Sequence, residues 1–380
     1  MWEPQGMYSK FALQQPIILF GENAIMGLKT FPSSRVAIIH GTSLKDDYKN
    51  NIKKSLSSFE ISFMEKSWKG EPSLITLSDS IKEIQKIKPD TIIAIGGGSV
   101  IDGAKMIRTY YEFPFFDTND TRFSLLNWTT NFVVIPTTIG SGAEISSASV
   151  MFNEKNKTKE FIICHKFIPQ IVVLESNLIE NAPKKLLLSS IIDAISHCIE
   201  GYMSNIDNII IDVYAEKAIQ IISKNYKFLI NNNIDNKEYL TQLQLASFFA
   251  GMVQNHCIVG AAHSLAHQMS DFGLSHSDAI SIFLPSVIRK NIKNNKALSR
   301  FEKLASNSGF DNSFELIEFV DEIISSFDLT KERELLLRNK NKIISDNDLL
   351  ERALIDKGGK GNPIPLDKKF LEDIINKSII

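Results

Sequence analysis

Several things are scarce in this chain, and each scarcity excludes a class of function. Cysteine is rare: Cys164, Cys198 and Cys257 among 380 residues form no paired framework and fit a reducing cytosol. No apolar run reaches the roughly 18 residues of a membrane span. The start, MWEPQGMYSKFALQQPIILF, has an early acidic residue and no long apolar block, unlike a secretory signal. Charge of one sign is also missing: the formal net charge is -2, so no broad basic field awaits a nucleic acid. These absences point to a cytoplasmic protein with no nucleic-acid or membrane partner. Hydrophobic residues make up 43%, enough for a large core, and the length suggests about two or three domains.

In the first half, β-branched runs alternate with helical patterns. VAIIHG (Val36 to Gly41), TIIAIGGGS (Thr91 to Ser99), NFVVIPTT (Asn131 to Thr138) and QIVVLE (Gln170 to Glu175) read as buried strands. SLITLSDSIKEIQKIK has a helical period with Ser and Asp near its start, and KDDYKNNIKK reads as a solvated helix face. Strands alternating with helices imply a parallel α/β sheet. After SNLIENAP helical patterns follow one another, interrupted by polar breaks such as NNNIDNKE. The expected division is an α/β domain over 1–180 and an all-helical domain over 181–380, with the active site between them by default.

IIAIGGGSVIDGAKMI is a strand, a glycine turn and a helix. Gly96, Gly97 and Gly98 let backbone approach a phosphate, and Ser99 with the first helix amides can bind an anion. The turn is neither G-x-G-x-x-G nor a P-loop, so the spacing alone also fits a plain tight turn. VIPTTIGSGAE adds a second small-polar loop with Thr137, Thr138 and Ser141, also directly after a strand. Two such loops at the carboxyl edge of a sheet suggest a nucleotide cleft.

Metal-ligand chemistry is concentrated further on. In IIDAISHCIEGY, Asp193 and His197 are one helical turn apart, opposite a face of Ile191, Ile192, Ile195, Cys198, Ile199 and Tyr202. Such a pair is either two ligands of one ion or the wet side of an amphipathic helix. HCIVGAAHSLAHQMSDFGLSH holds four of the seven histidines; on one continuous helix His256, Gly260, His263 and His267 share a face, with His276 on a following loop. Imidazole is a leading ligand for divalent transition metals, but spacing does not say which of His256, His263 and His267 bind.

Taken in order, PIILFGENAI, AIGGGSVIDGAK, IPTTIGSGAE, IPQIVVLESNLI, DAISHCIEGYMS, AGMVQN, GAAHSLAHQ and GNPIP resemble the iron-containing (group III) alcohol dehydrogenase family. The resemblance runs nearly end to end. It implies the architecture that family shares with dehydroquinate synthase: an N-terminal dinucleotide-binding domain, an all-helical C-terminal domain and a metal in the cleft. It further implies Fe2+ or Zn2+ on Asp193, His197, His263 and His276, with His267 near the nicotinamide as candidate proton relay. Cofactor contacts carried over are Gly97, Gly98 and Ser99 at the pyrophosphate with Asp102 near them, then Thr137, Thr138, Ser141, Lys159 and Leu178. The resemblance leaves a homodimer open.

Two departures stand out. The interval from His263 to His276 is one residue shorter than in many members, and HQMSDFG lacks a glycine that often follows the second histidine. Many relatives place an aspartate just after the first strand of the dinucleotide domain, where it repels a 2′-phosphate. Here that position is Gly41, followed by Thr42, Ser43 and, two further on, Lys45, so NADP(H) is expected over NAD(H). The expected activity is a metal-dependent alcohol dehydrogenase or aldehyde reductase acting on a small-molecule alcohol or aldehyde, with a small alcohol, a polyol, a sugar derivative and a phosphonate aldehyde all open as substrates. The alternatives are a dehydroquinate synthase-like cyclase or lyase with transient nicotinamide redox, and a catalytically silent nucleotide or metal sensor.

Overall fold

In the computed structural model, residues 15–117, 123, 125–155, 158–180, 182–231 and 236–379 are described, and whatever is absent is absent among these residues. Residues 1–14, 181 in the boundary segment, and 232–235 of NNNIDNKE lie outside them.

Strands with both faces apolar need cover on both sides, and the first unit provides it. Its elements are β1 (Ile17–Phe20), β2 (Arg35–His40), α1 (Asp46–Ser55), β3 (Glu60–Glu65), α2 (Leu74–Ile87), β4 (Thr91–Gly96) and α3 (Gly98–Glu112). They are followed by β5 (Asn131–Pro136), β6 (Ala148–Asn153), β7 (Thr158–Ile163) and β8 (Ile171–Leu174). Six strands form a parallel sheet in the order β1-β8-β5-β4-β2-β3; β6 and β7 form a separate antiparallel hairpin. Alternation divides the core in two. Ala37, Ile39, Ile92, Ala94, Phe132 and Val134 meet α3 on one face. Val36, Ile38, Ile93, Ile95, Val133 and Ile135 meet Ile52 and Leu56 of the α1 region on the other.

The four expected strands are β2, β4, β5 and β8, while β1, β3 and the hairpin were not anticipated. Their reason is edge character: Ile17 and Phe20 of β1 are exposed, and β3 alternates only weakly. α2 starts as expected, with Ser73 and Thr76 exchanging capping-box bonds.

The second unit is built from α4 (Lys184–Met203), α5 (Ile209–Ile230), α6 (Lys237–Cys257), α7 (Ala261–Gln268) and α8 (His276–Asn291). It continues with α9 (Asn295–Asn307), α10 (Ser313–Ser325), α11 (Thr330–Ser345), α12 (Asn347–Ile355) and α13 (Lys368–Ser378). One detail departs from a cut at 180/181: residues 236–244, including the first turns of α6, group with the sheet-bearing unit. No single helix is long and apolar enough to cross a membrane.

Two local expectations fail. The helix does not run unbroken from His256 to His267: α6 and α7 meet at a 97° bend. Ile258 turns left-handed there (φ 57), and a Cβ on Gly260 would stand 2.8 Å from Glu200 Oε1 and 2.9 Å from Asn362 Oδ1. His256 therefore belongs to α6, with Nδ1 2.8 Å from its own helix at Met252 O, and shares no stripe with His263. His276 is not in a loop but opens α8, after an N-cap by Ser275.

Candidate active site

The glycine turn lies at the sheet's switch point. From β2 the chain moves outward to β3, then returns to β4 on the other side of β2, so the carboxyl ends of β2 and β4 flank the position where open α/β sheets take ligands. Gly41 follows β2 and Gly97 caps α3 after β4. The second loop packs against the first: a Cβ on Gly97 would lie 3.1 Å from Thr138 Cγ2, and one on Gly98 would lie 3.4 Å from Ser141 Cβ. Thr138 Oγ1 is buried without a hydrogen-bond partner, and Thr137 N bonds Gly96 O at 3.1 Å.

This loop is held from below. Lys105 is fully buried, and its Nζ donates to the carbonyls of Ala143 (2.8 Å), Ser146 (3.1 Å) and Ala148 (2.7 Å). Asp102 turns towards the same support, accepting from Val150 N at 3.2 Å with Lys105 Nζ at 3.4 Å. Burial raises its carboxyl above the usual range despite that lysine.

Ser99 is engaged too: its hydroxyl donates to Gly70 O and accepts from Trp68 Nε1 at 3.1 Å, with Lys66 Nζ at 3.5 Å. Lys66 and Trp68 escaped the sequence reading. Gly103 is a hidden signal for Trp68, whose ring a Cβ there would strike at 2.2 Å. Lys159 pairs with Glu71 at 2.7 Å, and Leu178 packs on the core beneath β2 and β5. Thus Gly97, Gly98, Ser99, Thr137, Thr138 and Ser141 come together, and Gly41 and Ser43 lie in the turn just past the neighbouring strand. Asp102 faces the support of the loop, while Leu178 belongs to the core.

The second cluster lies within the helical unit. The solvated-face alternative for α4 fails, because Asp193 is 4% and His197 1% exposed. Around Asp193 Oδ1 stand His263 Nε2 at 3.5 Å, His276 Nε2 at 3.5 Å and His197 Nε2 at 3.8 Å. The donor atoms of Asp193, His263 and His276 all lie within 4.8 Å of one another; His197 stacks on His263 with ring centroids 4.7 Å apart. Ligand atoms each about 2.1 Å from one ion are about 3.4 Å apart in a tetrahedron, so the set fits a divalent metal. Asp193 Oδ1, both ring nitrogens of His197, and His263 Nε2 are buried without hydrogen-bond partners. Such orphaned atoms facing one another are what a metal site shows.

Glu200, absent from the sequence reading, organises the cluster. Its Oε2 is 2.6 Å from His263 Nδ1 and its Oε1 accepts Ala262 N at 2.8 Å, which turns His263 Nε2 towards Asp193. Asn362 accepts Ala261 N at 3.2 Å and exchanges amide bonds with Asn291. Together Glu200 and Asn362 seat the start of α7. His267 Nδ1 lies 2.9 Å from Asp356 Oδ2, another unanticipated partner, and its ring stacks on His276 at 5.1 Å.

Burial works against ionising Asp193, but the facing imidazoles of His197, His276 and His263 hold it well below the usual carboxylate range. Burial pushes His197 down to about 3 despite Asp193, so it is neutral. Burial opposes charge on His263 as well, yet the facing carboxylates of Asp193 and Glu200 raise it to about 9. His263 thus keeps its proton between the carboxylates of Asp193 and Glu200.

Residues 16–176 match the iron-containing alcohol dehydrogenase family, and residues 187–379 match that family's C-terminal region. The chain belongs to this family. It is similar to the NADPH-dependent butanol dehydrogenase of Clostridium saccharobutylicum, 30% identical with 94% of this chain and 95% of the relative covered. In fold it resembles an iron-containing alcohol dehydrogenase from Thermococcus thioreducens (TM-score 0.86, 23% identity, 97% and 99% covered). It also resembles a sulfoacetaldehyde reductase from Bifidobacterium kashiwanohense in complex with NAD+ (TM-score 0.83, 20% identity, 98% and 99% covered). As an iron-containing alcohol dehydrogenase it is an oxidoreductase working between alcohols and aldehydes, and the family implies a metal and a nicotinamide cofactor.

Proposed function

We propose that this family member is a metal-dependent, NADP(H)-preferring alcohol dehydrogenase or aldehyde reductase for a small substrate. The observation that carries it is the buried set of partnerless donor atoms on Asp193, His197 and His263, with His276 beside them. These four residues would hold Fe2+ or Zn2+. When bound, the ion supplies Lewis acidity towards an alcohol or carbonyl oxygen, and the nicotinamide accepts or donates the hydride.

The rest falls to the chain itself. Asp193 contributes the negative charge and Glu200 fixes the His263 tautomer. Asp356 holds Nδ1 of His267 and so directs its Nε2, the atom assigned to carry the substrate proton. Gly97, Gly98, Thr138 and Ser141 would receive the cofactor's phosphates and ribose. Gly41 supports NADP(H): a Cβ there would find only Val100 Cγ2 at 3.5 Å and Ser43 Oγ at 3.9 Å, leaving room where an aspartate would repel a 2′-phosphate.

The test is a screen of small aldehydes with NADPH and NADH after loading Fe2+ or Zn2+, following net consumption of reduced nicotinamide. Substrate conversion with no net consumption would instead favour the cyclase or lyase alternative. An Asp193→Ala variant should fold, lose the metal and be inactive.

A further inference from the structure

We propose that a crevice of about 970 Å3 in the helical unit binds a small organic phosphate whose remaining part is apolar. The inference is independent of the oxidoreductase reading, since none of the residues assigned to metal, cofactor or proton transfer lines this crevice. Its walls are the last turns of α8, the end of α10 with the segment after it, the start of α11 and the end of α13.

Charge gives the first argument. Arg289, Lys290, Lys293, Arg333 and Lys377 line the crevice against Asp321 and Asp328, in a chain whose formal net charge is -2. Three of these cations are compensated: Arg289 pairs with Asp321, while Lys290 and Lys377 share Asp373. Lys293 and Arg333 form no ion pair among the described residues. α11 opens beside them at Thr330, whose amide is held by Asp328 at 2.9 Å, and its dipole adds to the positive field.

A second observation is independent of charge. Ser378, 4% exposed and part of the same lining, has a buried hydroxyl with no hydrogen-bond partner. A buried hydroxyl left alone is unusual, and a phosphate oxygen would accept its proton. The guanidinium of Arg333 and the ammonium of Lys293 suit the same group as charge-assisted donors.

The remaining wall decides between a bare ion and an organic one. Ile282, Pro285, Ile324, Phe327 and Leu329 form an apolar side that inorganic phosphate would leave wet. The volume falls within the roughly 300–1,000 Å3 of small-molecule sites, large enough for a phosphate carrying a ring or short chain.

The experiment titrates phenyl phosphate into the full-length, metal-loaded protein by calorimetry. NAD+ and NADP+ are both present in excess to occupy the glycine loops. Expected are saturable binding and a preference of roughly tenfold over inorganic phosphate. The charge-reversed Lys293→Glu/Arg333→Glu variant should weaken binding roughly tenfold or more. Both side chains reach solvent, so that variant should keep its fold, which circular dichroism checks. Ser378→Ala should cause a smaller loss without changing charge. Absence of saturable binding, or equal affinity in the charge-reversed variant, overturns the proposal. Inorganic phosphate binding as tightly as phenyl phosphate overturns the assignment of an organic ligand.

Discussion

Replacing Glu200 with glutamine keeps the side chain's shape but removes the charge that holds His263. Two opposing effects follow, and pH separates them. In the wild type His263 is raised to about 9, so at pH 7 only about one molecule in a hundred has the imidazole ready for a metal. Displacing that proton costs roughly a hundredfold of apparent metal affinity at pH 7, and affinity should rise about tenfold per pH unit towards 9. Glutamine holds the proton less firmly, which lowers that cost. It also loses the carboxylate 2.6 Å from Nδ1, and such outer partners are worth roughly 10–100-fold in affinity. Glu200→Gln should therefore bind Zn2+ roughly 10–100-fold more weakly near pH 9, with a visibly smaller deficit at pH 7. The sign of the linkage agrees: the folded value lies above the unfolded 6.5, so protonation stabilises the metal-free fold. That contribution is complete below about 6.5 and is lost as pH rises through about 9. Chelator competition across this range measures affinity, and calorimetry in two buffers counts protons, near one per metal in the wild type. A deficit equal at both pH values, or no proton released by the wild type, would refute the arrangement.

Three other outcomes follow from the same geometry. His267→Ala should retain metal and lose about 10²–10⁴-fold in kcat, whereas Asp356→Asn should lose less and shift the pH profile of kcat, because Asp356 acts only by directing the ring. Gly41→Asp should move the kcat/KM preference towards NAD(H), and a wild type that already prefers NAD(H) would sink the assignment of Gly41. Glu144, 2% exposed, is pushed up to about 7 by burial, so the fold holds its proton between about 4.5 and 7 and loses stability as pH rises through that window. Urea melts should find Glu144→Gln more stable than wild type at pH 8, by up to about 3 kcal/mol, and close to it at pH 4.5.

How much of this was legible depended on whether the deciding neighbour was close in sequence. β4 and β5 were readable because burial on both faces makes TIIAIG and NFVVIP continuously apolar. β1 and β3 were not, since an edge strand need satisfy only one neighbour and can leave Ile17 and Phe20 in water. On α4 the polar stripe was visible but its meaning was not, because period alone gives the same pattern for a wet surface and for a lined site. Glu200 could have broken the tie. It falls seven residues after Asp193, on the same stripe, and a second carboxylate behind an Asp/His pair suits metal-ligand orientation better than a solvated face. The bend before α7 could not be found that way. AGMVQNHCIVGAAHSLAHQ keeps a helical period throughout, whereas Glu200 and Asn362, which stand against Gly260 where the chain leaves it, come from distant segments. Breaking the helix there removes His256 from the face it would otherwise share with His263, and the α7 amides thus exposed are capped by Glu200 and Asn362. The residues that seat the cluster thus stand at the same break that parts His256 from His263.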